Sequence, residues 1–123
     1  PFPQIIDGPP GNACPMVAAV EQSNFVILVT EPTPFGLSDL ALATETVREL
    51  HIPAGVVINR SDLGNIEEAE IFCKNLALPI LARLPFSKEV ARAYAKGIAP
   101  ILIDKQWQEA ASDILNHVKE VLS

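Results

Sequence analysis

Four short segments of the sequence carry residue types that could do chemistry. The first is Asp7-Gly8-Pro9-Pro10-Gly11, which follows the apolar Ile5-Ile6. A carboxylate at the end of an apolar run must face water, a cation or a donor. As a hard oxygen ligand, Asp7 could hold Mg²⁺ through retained waters. Gly11 could offer a phosphate oxygen an unobstructed backbone N–H. A plain turn, with Asp7 capping it and Gly11 bending it, accounts for the same residues. The second segment is Asn59-Arg60-Ser61-Asp62. The Asn59 amide donates and accepts at once, which suits the paired edge of a purine. A turn in which Asp62 or Asn65 caps the next helix is the alternative. In the third, Pro85-Phe86-Ser87, an apolar wall could stand against a base, or serve only as a contact at a helix start. The fourth, Thr30-Glu31-Pro32-Thr33, is a strand-end turn.

The elements that must position these segments follow from the apolar pattern. Short runs at Gln4–Ile6, Phe25–Thr30, Gly55–Asn59 and Ile80–Leu84 read as four strands, each ending at one of these segments. Helical patterns separate them. The first runs from about Pro15 to Gln22. The second follows Ser38 as N-cap and stops before Pro53, and the third spans about Asn65 to Leu76. A short helix follows Ser87. The last covers about Lys105 to Leu122, with Trp107, Ala110, Ala111, Ile114, Val118 and Val121 as a docking stripe. Strands alternating with helices predict an α/β fold, a parallel sheet with flanking helices. In such sheets ligands bind beyond the carboxyl ends of the strands, so all four segments are expected at one edge.

Composition narrows the function classes. The chain has 123 residues, 49% of them hydrophobic, enough for one cored domain. A net charge of −6 argues against nucleic acid as a partner. No apolar run reaches the length of a membrane span, and a cytoplasmic location is expected. Cys14 and Cys73 have no metal-ligand spacing and read as reduced thiols. His51 and His117 have no partners at ligand or triad spacing. No catalytic nucleophile or paired catalytic carboxylates can be identified, so no catalytic residue is assigned.

The segments "IIDGPPG", "VILVTEPTPFGLSDL", "AGVVINRSDL" and "LARLPFSKEVARAYAKG", in that order, cover nearly the whole chain. Together they resemble the C-terminal half of the MinD/ParA class of P-loop ATPases, which carry a deviant Walker A motif. The "DGPPG" run followed by Cys14-Pro15 is most similar to MinD-superfamily ATPases with an inserted ferredoxin domain. This resemblance implies a Rossmann-like P-loop NTPase domain of which residues 1–123 are the C-terminal part. Asp7 would hold the water shell of Mg²⁺, and Gly11 would sense the γ-phosphate. Asn59 would hydrogen-bond the adenine of ATP, and Pro85 and Phe86 would border the base. The role of Asp62, which is similar to the guanine-reading aspartate of GTPases, stays open. Residues Thr30 to Asp39 would face a second subunit.

The Gly-rich, lysine-containing phosphate loop is absent from these residues, as are the cysteines of the ferredoxin module with its iron–sulfur cluster. Asp7 and Gly11 therefore point to a fragment, inactive alone and holding no cofactor tightly. ATP and Mg²⁺ belong to the parent protein. Self-association and an iron–sulfur or redox partner are the expected interactions. A non-catalytic binding or dimerisation module is the alternative.

Overall fold

The computed structural model describes residues 4–11 and 14–123. Three strands form one sheet: β1 (Val26–Thr30), β2 (Ala54–Asn59) and β3 (Ile80–Leu84), in the spatial order β1-β2-β3 and parallel throughout. The helices are α1 (Cys14–Val20), α2 (Pro34–Glu49), α3 (Ile66–Asn75), α4 (Lys88–Ala95) and α5 (Lys105–Leu122). A 3₁₀ turn at Pro100–Leu102 precedes α5. The expected α/β architecture, a parallel sheet flanked by helices, is present.

Two expectations need correction. Residues 4–9 form no strand, and Ile5 and Ile6 are exposed. A three-residue run cannot hold an extended conformation without a neighbouring strand to satisfy its backbone groups. Helix α2 begins at Pro34 rather than after Ser38. Thr33 is its N-cap, its side chain accepting from Gly36 N at 3.1 Å, and Pro34 occupies the first turn, where its missing N–H costs nothing. Asn65, Ser87 and Asp104 cap α3, α4 and α5 in the same way.

The sheet's two faces differ. On one, Val26, Leu28, Val56 and Ile58 pack with Leu37, Leu40 and Val47 of α2 and with Ala69 and Cys73 of α3. On the other, Val57, Leu81 and Leu84 pack with Ala110 of α5, and with Trp107 and Ile114 partly buried beside it. That helix packs on β3 and on Val57 of β2, and its His117 meets the Phe25 ring just before β1. As the central strand, β2 is buried along both faces, whereas β1 alternates, with Ile27 and Val29 outward at 42% and 66% exposure. A bulge shifts the register so that Val56 faces Ile80 while Val57 faces Ala82. The intervening Leu81 lies where a Cβ on Gly55 would be, so Gly55 leaves room for it.

The joints into β2 and β3 repeat one device. Just past the caps of α2 and α3, His51 and Ala77 are both left-handed (φ 57° and 55°). Ile52 N then donates to Val47 O at 3.3 Å, and Leu78 N to Cys73 O at 2.9 Å. These bonds close the helix ends as a C-terminal glycine motif would, without the glycine. Pro53 and Pro79 follow. Their carbonyls accept from Val26 N and Val56 N, each at 2.9 Å, and so start the two strand pairings.

Candidate nucleotide-base site at the strand ends

β2 and β3 end side by side, and the turns beyond them are bonded together. Ser61 N donates to Leu84 O at 3.1 Å, carrying the pairing past the strands. Asp62 Oδ1 accepts from Phe86 N at 2.7 Å. Asn59 Oδ1 accepts from Arg60 N at 3.0 Å, which fixes the amide plane. One oxygen lone pair remains, and no described residue accepts from its Nδ2, so the donor/acceptor pair that an adenine edge needs is free.

Arg60 is left-handed (φ 51°), a conformation that costs a long side chain about 1 kcal/mol. Its guanidinium stands over the Phe86 ring, 4.8 Å from Cζ to the centroid. Arg60 Nε is buried and has no hydrogen-bond partner among the described residues. Phe86 itself is 46% exposed, leaving aromatic surface open to a planar group. The structure thus brings together Asn59, Asp62, Pro85 and Phe86, as the strand-end argument expects, and adds Arg60. Sequence reasoning passed over Arg60 because nothing local marks a stack against a ring in a distant turn.

The β1 turn is stitched to the β2 turn. Asn65 N donates to Pro32 O at 3.3 Å, and within the β1 turn itself Thr30 Oγ1 donates to Gly36 O at 2.9 Å. Gly64 is left-handed (φ 64°), and a Cβ there would collide with the Pro32 carbonyl oxygen. Asp7 and Gly11 belong to a different setting. Both are exposed, Gly11 is left-handed (φ 93°) with open space around it, and the packing recorded in this segment is Gly8 near Ala19. No described contact joins them to the Asn59–Phe86 cluster.

The electrostatics of the cluster centre on Asp62. The Phe86 N–H bond lowers its carboxyl below the ordinary aspartate value, with Arg60 adding a smaller pull. A lowered folded-state value contributes stability that is present above the ordinary aspartate pKa. That stability is lost as pH falls through the folded value. Among the described residues, no three or more His, Cys, Asp or Glu are grouped to hold a metal. Asp7 is an exposed carboxylate outside any such group. Cys14 is exposed and Cys73 buried, and both are free thiols. Two surface grooves of about 360 and 270 Å³ run along α2 and share Thr44 and Arg48; neither is lined by the strand-end residues.

The geometry is that of a parallel α/β sheet flanked by helices, and comparison with known proteins agrees on the fold. The cell division ATPase MinD of Pyrococcus furiosus superposes with a TM-score of 0.74 and 20% identity, over 94% of this chain and 50% of that one. A ParA family ATPase from Chlorobium tepidum TLS superposes with a TM-score of 0.62 and 17% identity, over 83% of this chain and 44% of that one. The chain therefore has the α/β fold of MinD and ParA ATPases.

In sequence it is similar to two uncharacterized proteins of Methanocaldococcus jannaschii. One is 28% identical over 95% of this chain and 37% of its own length. The other is 25% identical over 96% of this chain and 40% of its own length. The chain thus spans about two fifths of the curated relatives it matches. No family model matches it. Among the described residues, no helix is long and apolar enough to cross a membrane.

Proposed function

We propose that these residues are the C-terminal part of the nucleotide-binding domain of a cytoplasmic MinD-like ATPase. The observation that carries this reading is the bonded cluster at the ends of β2 and β3, with the Asn59 amide beside Pro85 and Phe86. In this reading Asn59 binds the adenine of ATP, and Pro85 and Phe86 wall the base. Asp7 holds Mg²⁺ waters and Gly11 senses the γ-phosphate, once the preceding part of the domain supplies a phosphate-binding loop. An inserted ferredoxin module, coupling ATP to an iron–sulfur cluster or a redox partner, would likewise lie outside these residues. The 123-residue chain alone turns over no ATP.

The test uses the protein encoded by the whole reading frame. Asn59→Ala should weaken ATP binding about tenfold, the scale of one or two lost hydrogen bonds. Asp7→Ala should stop hydrolysis and leave much of the binding. Unchanged ATP affinity in the Asn59 variant would remove the base site, and wild-type turnover in the Asp7 variant would remove the switch role.

A second reading, a non-catalytic binding or dimerisation module, is favoured by one observation. β1 is an edge strand whose outward face shows Ile27 and Val29. Unpaired edges with apolar faces invite pairing between copies. Sedimentation decides this: self-association of the 123-residue chain, lost in Val29→Lys, supports it, and a monomer at high concentration speaks against it.

A further inference from the structure

We propose that Asp62 is a positioning residue that fixes the aromatic wall of the base site, and that its carboxylate does not read the base. The inference rests on the nucleotide reading above and concerns how that site chooses its base. Reading guanine needs a carboxylate with both oxygens turned to the base edge, to accept from N1–H and the 2-amino group together. Asp62 is committed elsewhere. Its Oδ1 takes the Phe86 N–H at 2.7 Å, the length of a charge-assisted bond.

That bond ties the turn after β3 to the turn after β2, alongside the Ser61 N to Leu84 O bond. It also places Phe86 under the Arg60 guanidinium. The left-handed Arg60 completes the arrangement, since its stem crosses to the neighbouring turn while its Nε stays buried and unpaired among the described residues. What faces the ligand is then the Asn59 amide and the stacked Arg60–Phe86 plane. The amide can donate to adenine N7 and accept from the 6-amino group. Guanine, with an acceptor at both positions, leaves the amide oxygen unpaired. The site therefore selects adenine, with Asp62 acting through Phe86.

Two measurements test this, one without nucleotide. In the 123-residue chain, the Phe86 amide proton is followed by NMR. Asp62→Ala should raise its exchange rate about tenfold and move its resonance, whereas Asp62→Asn, whose amide oxygen still accepts, should leave it close to wild type. A Phe86 amide indifferent to both changes overturns the tether. In the protein from the whole reading frame, fluorescent ATP and GTP analogues are titrated. Asp62→Ala should weaken ATP binding about tenfold, and Asp62→Asn should restore it to within about twofold. A wild-type preference for GTP, abolished by Asp62→Asn, would make Asp62 the base reader and overturn the proposal. If no variant binds nucleotide while Phe86 still responds to Asp62→Ala, the tether stands, and the adenine choice falls with the nucleotide reading.

Discussion

The turns beyond β2 and β3 and the segment before α1 carry similar residues: a carboxylate, prolines and polar groups at the end of an apolar run. Their surroundings differ. Asp62 is bonded to Phe86, Ser61 to Leu84 and Asn59 to Arg60, whereas Asp7 and Gly11 lie exposed on a chain with no strand beneath them. The same contrast runs through the sheet, where Ile58 is fully buried and Val29 is 66% exposed. A functional residue type gains a defined geometry only where neighbouring strands hold its turn. The Asn59 cluster has two such strands, and Asp7 has none.

The strongest way to break this comparison is to truncate one side chain in the buried centre of the sheet and one on its exposed edge. Ile58→Ala should cost about 2–5 kcal/mol, the range for truncating a buried aliphatic side chain. Val29→Ala should change stability by less than about 0.5 kcal/mol. Urea unfolding of both variants checks it, and equal losses would mean that the outer face of β1 is covered in solution.

A middle-sized effect sharpens the link between turns. Gly64→Ala combines a left-handed backbone with a collision against the Pro32 carbonyl, and should cost about 1–3 kcal/mol. Ala at Gly11, left-handed but in open space, carries the backbone cost alone, so thermal unfolding should place it clearly above Gly64→Ala. The smallest effect lies on the outer edge of β3, where Arg83 Nε meets Glu70 Oε1 at 2.6 Å with both side chains more than two-fifths exposed. Glu70→Gln should cost only a few tenths of a kcal/mol, and the loss should vanish in high salt.

The elements with two kinds of local signal were legible in the sequence. The runs at Val26–Thr30, Ala54–Asn59 and Ile80–Leu84 are apolar and bounded by turn residues. Asn65 and Ser87 stand where caps belong. Helix α5 matches its stripe at Trp107, Ala110 and Ile114, although Val121 at its end is exposed. What failed did so for identifiable reasons. Ser38 resembles a cap because Gly36 lowers the helical signal of the first turn, while the true cap, Thr33, is marked by Pro34 after it and by its bond to Gly36 N. Gln4–Ile6 has the composition of a strand without the neighbour that makes one. The convergence of Asn59 with Pro85-Phe86 followed from the parallel topology, but the Asp62–Phe86 bond and the Arg60 stack join distant residues through backbone geometry that no local pattern encodes.

The proline carbonyls at the two helix-to-strand joints bear on how the chain assembles. Val26 pairs with Ala54 across the whole of α2 and the His51 joint, and Val56 with Ile80 across α3 and Ala77. Among the described residues every strand pairing is parallel, so each needs closure of a strand–helix–strand unit, the kind of non-local pairing that slows folding. Loosening a joint should therefore retard refolding more than it speeds unfolding, making His51 and Ala77 kinetic control points.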